Sequence, residues 1–170
     1  LLKTILDQNP KIHAGPSTPM MELVYHNSKY FIDSESHGAF PNSKAAYNLI
    51  SKMIDNYYFD IEKPIIIDHN RAWPSNIELL KTYITPNPKI ICTVRDVLDI
   101  LTSFITLMNK NSNQVSYIDE FLATKGYPCT DEMRCQYLMS WEGLVGQSLW
   151  VLYRTLFIRN DGSHLLLVEY

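Results

Sequence analysis

The chain has 170 residues, 46% of them hydrophobic, and is therefore long enough to bury the core of a single domain. Its formal net charge of −3 gives no overall basic field, so neither a nucleic acid nor an anionic membrane surface is an expected partner. No apolar run reaches membrane-spanning length, and the three cysteines include no CxxC pair. We expect one domain over residues 1–170, without a membrane span and in a reduced compartment, with the cytoplasm favoured.

The first third of the chain alternates predicted helices with irregular segments. It opens in an amphipathic helix whose apolar face includes Leu1, and that helix should end just before Pro10, since proline disfavours helix at the preceding residue. A short extended piece and a turn follow in "KIHAGPSTPM". Residues 20–42 show little periodicity and are interpreted as a mixed polar loop. Ser43 is expected to cap a helix over 44–58.

Near-continuous aliphatic runs predict three strands that are separated by helices. The strands are expected at residues 64–68, 89–94 and 165–169. The helices are expected at 75–84, at 96–110 and, as one long helix, from Thr130 or Asp131 to about Arg159, with a loop and a short helix within 112–130. Such runs suit a parallel sheet that is covered on both faces, so the sequence predicts a three-layer α/β fold.

Polar residues follow two of these strands. In parallel α/β sheets, ligands bind beyond the carboxyl ends of the strands. If the strands are parallel, both polar sets open onto the same edge of the sheet. The first set is Asp68, His69, Asn70 and Arg71, and the second is Arg95 and Asp96.

Arg95 stands between a strand and the helix that follows it. A guanidinium fork at that place, beside the N–H groups of a helix N-terminus, is suited to bind an anion such as phosphate. Ser103, eight residues later, would reach the same ligand if it lies along the first turns of the helix. The structural alternative is that Arg95 pairs with a neighbouring carboxylate, Asp96 caps the helix and Ser103 has no special role.

His69 is the second candidate. A histidine at a strand end in a presumed cleft suits a general base near neutral pH, although a lone histidine more often has a structural role. No His, Cys or carboxylate pair has metal-ligand spacing, so we expect no metal site. The chain also lacks GxSxG and GxGxxG motifs.

Three stretches occur in an order that is typical of one enzyme family. They are "LLKTILDQNPKIHAG", "NPKIICTVRDVLDILTSF" and, after a tryptophan-containing helix, "HLLLVEY". Together they resemble sulfotransferases that use 3′-phosphoadenosine-5′-phosphosulfate (PAPS), the broad family with bacterial, phage and tyrosylprotein members. The second stretch is similar to the family's 3′-phosphate motif, in which an arginine at a strand end and a serine eight residues later bind the nucleotide. Arg95 and Ser103 keep that spacing.

The resemblance implies a P-loop-NTPase-like sulfotransferase fold and PAPS as donor substrate, without a metal. "PIIIDHNRAWP" occupies the place where relatives have a strand that ends in Lys-Thr-His or Asp-Lys, which implies that His69 is a base or a stabiliser of the sulfuryl group. Asn70, Arg71 and Trp73 are weaker candidates for contact with the acceptor. The implied acceptor is a hydroxyl or amine of a small molecule, a carbohydrate or a lipid.

The family's phosphosulfate loop would immediately precede Leu1, and a further segment would follow Tyr170. We therefore expect a partial domain, truncated at both ends and inactive by itself. One alternative is a P-loop nucleotide or small-molecule kinase, in which Asp68 would hold Mg²⁺. Another is a non-catalytic nucleotide-binding or interaction module.

Overall fold

The computed structural model describes residues 2–111 and 114–169. Leu1, the positions 112–113 within the predicted loop, and Tyr170 lie outside the described residues. The chain forms two compact units, Leu1–Ile90 and Ile91–Tyr170. Their content is mixed α/β, as the sequence predicts, and the described strands form two two-stranded sheets. The three-layer sheet and the single domain over 1–170 stay predictions.

The sheet of the first unit pairs β1 (Ile12–Ser17) with β2 (Ile65–His69) in parallel. Ile12 lies opposite Ile65, and the register shifts before Ser17, which lies opposite His69. Pro16 falls within the shifted stretch and has no N–H to donate to the ladder. The carboxyl ends of both strands therefore meet at one edge.

Short helices surround this sheet, and they bury a methionine-rich core. They are α1 (Leu2–Leu6), α2 (Met20–Asp33), α3 (Glu35–Ala39), α4 (Ser43–Ser51), α5 (Met53–Tyr57) and α6 (Ile77–Leu79), the last between a 3₁₀ turn (Trp73–Asn76) and a π-helical turn (Leu80–Ile84). The buried core residues are Met20, Met21, Val24, Ile50, Trp73 and Leu80.

The predicted loop over residues 20–42 is wrong, because α2 and α3 occupy most of it. Helix α2 buries one face through Met20, Met21, Val24 and Ser28. Exposed Leu23, Tyr25, Tyr30 and Ile32 flank that face on its two sides. These apolar flanks blur the boundary between the buried and the polar face, so the helical period is hard to recognise in the sequence. The cap of α4 also differs, since Asn42 Oδ1 rather than Ser43 accepts the N–H of Ala45, at 3.1 Å.

The second unit contains a strand pair and four α-helices in its described residues. The pair is β3 (Ile90–Val94) with β4 (Leu165–Glu169). The helices are α7 (Val97–Lys110), α8 (Tyr117–Thr124), α9 (Asp131–Met139) and α10 (Leu144–Tyr153), the last continued by a π-helical turn (Arg154–Ile158), with a 3₁₀ turn (Gly162–His164) before β4. Ile118, Leu122, Leu138 and Val145 form the buried core. None of the helices over 2–111 and 114–169 is both long and apolar enough to span a membrane.

The prediction of one long helix from residue 130 to 159 is wrong, because a turn interrupts the helix between α9 and α10. Ser140 ends α9, and its hydroxyl donates to the carbonyl of Tyr137 at 2.7 Å. Gly143 then passes so close to α9 that a Cβ there would lie 2.0 Å from the same carbonyl oxygen. Only a residue without a side chain fits this turn. The apolar pattern runs on through the turn and does not reveal it.

A partly buried ion pair joins α8 to α9. Arg134 donates to Asp119 through Nε at 2.8 Å and Nη2 at 3.0 Å, and the two side chains are 15% and 16% exposed. Arg134 Nη1 also reaches Asp131, at 2.8 Å. The hydrogen bonds from Arg134 hold the pKa of Asp119 below its ordinary value. The ionised form of Asp119 is therefore favoured by folding.

We expect this pair to make stability depend on pH in the acid range. A lowered folded pKa contributes stability above the unfolded pKa of about 3.9, and this contribution is lost as the pH falls through the folded value. Asp119→Asn should cost about 2 kcal/mol of unfolding free energy at pH 7 and clearly less at pH 2.5. Urea titrations at both pH values measure the difference.

Asp131→Asn is the matched control, since its carboxylate contacts the same arginine but is 56% exposed. An exposed pair contributes about 0–1 kcal/mol, so this variant should lose little at either pH. A loss for Asp119→Asn that stays constant from pH 7 to pH 2.5 would contradict the assignment.

Candidate functional site

Asp68 organises the carboxyl edge of the β1–β2 sheet. Its Oδ2 accepts hydrogen bonds from the hydroxyls of Thr18, at 2.5 Å, and Tyr58, at 2.6 Å. Its Oδ1 accepts from the indole N–H of Trp73 at 2.7 Å. All three donor residues are buried. Both carboxylate oxygens are thus engaged, so Asp68 joins β1, β2 and two helical segments rather than presenting open lone pairs to a cation.

Tyr58 is held in its protonated form by this arrangement. Burial raises the pKa of Tyr58 well above its ordinary value, and the hydrogen bond to Asp68 raises it further. An ionised phenolate beside the carboxylate would be both poorly solvated and repelled. The Tyr58 hydroxyl therefore serves as a permanent donor to Asp68.

His69 ends β2 beside Asp68, at the edge where the sequence predicts it. Its backbone carbonyl accepts the N–H of Thr18 at 3.1 Å, which fixes the backbone of the strand end. The imidazole is exposed, and within residues 2–111 and 114–169 it makes no hydrogen bond or ion pair. An accessible imidazole on a fixed backbone can exchange a proton with a ligand. Its role in transfer stays a prediction.

The three weaker candidates differ in their surroundings. Asn70 donates to the carbonyl of Thr18 and to the carboxylate of Glu22, each at 2.8 Å, which ties β2 to the start of α2. Trp73 is 6% exposed and packs in the core. Arg71 is exposed. Asn70 and Trp73 thus have structural contacts that account for them, and Arg71 is the most accessible of the three.

Arg95 and Ser103 lie in the second unit, at the junction of β3 and α7. Arg95 directly follows β3, and its Nε lies 3.3 Å from Oδ2 of Asp99. Asp96 caps α7 by accepting the N–H groups of Leu98, at 2.8 Å, and Asp99, at 3.4 Å. These contacts are the ones that the structural alternative requires. They are also compatible with an anion site, because the pair is exposed, at 36% for Arg95 and 59% for Asp99, and contributes about 0–1 kcal/mol.

The contact with Asp99 shows which way Arg95 extends. Asp99 and Ser103 are four residues apart on α7, and such residues are neighbours on one helix face. Ser103 is exposed on that face. The contact therefore places Nε of Arg95 beside the face of α7 that also carries Ser103.

Asp68 is the organising residue whose role the sequence did not reveal. Its donor Thr18 is 50 positions away in the chain, so spacing carries no signal for the contact. The end of an aliphatic strand marks the position of this carboxylate in the sequence, but it does not indicate its hydrogen-bond donors. In the part of the chain that the structure describes, no group of three or more His, Cys, Asp or Glu side chains is placed to hold a metal ion.

Comparisons with known proteins find no match for this chain. This holds for protein-family models, for curated proteins and for solved structures. The sulfotransferase resemblance therefore depends on the three quoted stretches of sequence alone.

Proposed function

We propose that this chain is part of a PAPS-dependent sulfotransferase with a P-loop-like three-layer fold, in which Arg95 and Ser103 bind the 3′-phosphate of the donor. The observation that supports the proposal is the position of Arg95, which follows a strand end and contacts Asp99 on the helix face that carries Ser103. A phosphate between these two side chains would replace the Asp99 carboxylate as a partner of the guanidinium. Charge-assisted hydrogen bonds to phosphate are stronger than an exposed ion pair, so the exchange is favourable.

The N-cap of α7 limits the contribution of the helix N-terminus to phosphate binding at this site. Asp96 already satisfies the N–H groups of Leu98 and Asp99, and its negative charge offsets the positive end of the helix. The N-terminus of α7 therefore adds less to anion binding than the sequence suggests. The binding free energy comes mainly from the Arg95 fork and the Ser103 hydroxyl.

The reaction is an in-line displacement at sulfur. An acceptor hydroxyl or amine of a small molecule, a carbohydrate or a lipid attacks the sulfuryl group and forms a new bond to sulfur. The bond from sulfur to the phosphate oxygen breaks, and adenosine 3′,5′-bisphosphate leaves with the electron pair. His69 either accepts the proton of the acceptor or donates a hydrogen bond to the sulfuryl oxygens.

The test is nucleotide binding to the purified chain. At millimolar ligand, adenosine 3′,5′-bisphosphate should raise the melting temperature, whereas ATP with Mg²⁺ should not. Arg95→Ala should weaken binding by about 2–3 kcal/mol, roughly 30- to 150-fold, and so abolish the shift at the same ligand concentration.

Two further variants distinguish phosphate binding by Arg95 from its structural ion pair with Asp99. Asp99→Asn removes the competing carboxylate and should tighten binding up to about fivefold. Arg159→Ala removes another exposed arginine of the second unit and should leave binding unchanged. Stabilisation by ATP with Mg²⁺ instead would favour the kinase alternative. No response to either nucleotide would refute the proposal and favour the alternative of a non-catalytic interaction module.

A further inference from the structure

A row of four exposed aromatic side chains lies along α10 and the π-helical turn that continues it. This aromatic row consists of Trp141, Trp150, Tyr153 and Phe157, which are between 37% and 72% exposed. The ring centroids of successive members lie 5.4, 5.8 and 5.4 Å apart. The four rings therefore form one continuous apolar surface, and a continuous exposed surface of this kind is typical of an interaction site.

Helical geometry places the row on the outer side of α10. Trp150, Tyr153 and Phe157 are separated by three and four residues, a spacing that puts side chains on one side of a helix. Val145 and Thr155, at 5% and 2% exposure, are the buried residues of α10 and of the turn after it. The helix thus has a separate inward side, and the core of the second unit leaves the row uncovered.

The charges beside the row are cationic. Between positions 143 and 159 the sequence has two charged side chains, Arg154 and Arg159. The N–H of Arg154 donates to the carbonyl of Trp150, so Arg154 lies one helical turn from that member of the row. Over residues 2–111 and 114–169, neither arginine forms an ion pair. The net charge of −3 for the whole chain therefore does not describe this surface, which is locally positive.

The chemistry of the row favours a lipid surface over other partners. The rings of Trp150, Tyr153 and Phe157 lie against one another at 31° and 39°, so their faces are partly covered, whereas stacked nucleobases need open faces. A second copy on a two-fold axis would bring the same arginines together. Tryptophan and tyrosine prefer the boundary between lipid headgroups and acyl chains, and an arginine beside them can pair with headgroup phosphates.

We propose that the aromatic row docks on the surface of a bilayer that contains anionic phospholipid. The rings enter the headgroup layer, and α10 lies in the plane of the membrane without crossing it. Arg154 and Arg159 pair with the phosphates of the lipid headgroups. The inference does not depend on sulfuryl transfer, because neither Arg95 nor a donor nucleotide takes part.

The experiment is sedimentation of the full chain with lipid vesicles. The chain should sediment with vesicles of phosphatidylcholine and phosphatidylglycerol, mixed at about 2:1, at about 1 mM lipid. Phe157→Ser should weaken this binding at least about tenfold, because the phenylalanine ring no longer enters the lipid. Phe40→Ser is the matched control, since Phe40 is 85% exposed in the first unit, and it should change nothing. No sedimentation, or an equal loss for both variants, would overturn the proposal.

Arg154→Met tests the contact with the headgroups. Methionine keeps an apolar stem but removes the charge, so binding to the phosphatidylglycerol vesicles should weaken about fivefold. Binding to phosphatidylcholine alone should be weaker for the wild type and unaffected by this substitution. Lys44→Met, at an exposed position of the first unit, should alter neither. Equal weakening on both kinds of vesicle by Arg154→Met would refute the pairing with anionic lipid and the proposal with it.

The tryptophans report which surface meets the lipid. Trp141 and Trp150 belong to the row, whereas Trp73 is 6% exposed in the core of the first unit. Lipids with brominated acyl chains should quench the fluorescence of the wild type. The double variant Trp141→Phe/Trp150→Phe should still bind, and its remaining Trp73 should not be quenched. Quenching of Trp73, or dimerisation that Phe157→Ser abolishes while vesicle binding is unchanged, would contradict docking through the row.

Discussion

Asp68→Ala is expected to lower the free energy of unfolding by about 4 kcal/mol, because it leaves three buried donors without their acceptor. The hydroxyls of Thr18 and Tyr58 and the indole N–H of Trp73 all point to this carboxylate. A buried donor that loses its partner costs about 1–3 kcal/mol, and the three losses are not fully additive. Urea unfolding, followed by far-ultraviolet circular dichroism, measures the change.

Asp68→Asn tests the same contacts with a smaller change of shape. An asparagine oxygen can still accept from one side of the cluster, whereas its NH₂ group cannot accept at all. The loss should therefore lie between those of the wild type and Asp68→Ala. Asp60→Ala is the control, since Asp60 is exposed, and it should stay within about 0.5 kcal/mol of the wild type. If Asp68→Ala were as mild as Asp60→Ala, Asp68 would not be the organising acceptor of this edge.

Gly143→Ala is expected to destabilise the second unit by at least about 3 kcal/mol, because a methyl group at this position has no space. The added Cβ would lie 2.0 Å from the carbonyl oxygen of Tyr137 and 2.4 Å from that of Leu138. Both are backbone atoms of α9 and cannot rotate away, so α9 and α10 must separate. Chemical unfolding at neutral pH measures the loss of unfolding free energy. The ring centroids of Trp141 and Trp150 lie 5.4 Å apart, so the fluorescence of these tryptophans reports the separation of α9 from α10.

Gly38→Ala is the matched control for that substitution. Gly38 lies in α3, and a Cβ there meets no atom within 4 Å. Alanine also restricts the unfolded chain, so this variant should be neutral or more stable by about 0.5–1 kcal/mol. Equal effects at the two positions would show that the turn between α9 and α10 tolerates a side chain.

The candidate sites illustrate how far sequence reasoning reaches. The position of His69 at a strand end, and of Arg95 between β3 and α7, follows from aliphatic runs that stop at polar residues. The contacts of these residues do not follow from such runs. Arg95 has two acidic neighbours, Asp96 and Asp99, and only the geometry shows that the first caps α7 while the second pairs with the guanidinium.

The positions of β2, β3, β4 and the start of α7 follow from the sequence alone, because hydrophobic runs, breakers and caps act over a few neighbouring residues. Other features depend on contacts between distant parts of the chain. Helix α2 has exposed apolar residues on both flanks of its buried face, so the core that it packs against decides which of its apolar residues are buried. The break at Gly143 depends on how closely α10 returns to α9. Asp68 finds Thr18 across 50 positions, and a contact between such distant residues is created by folding and leaves no local pattern.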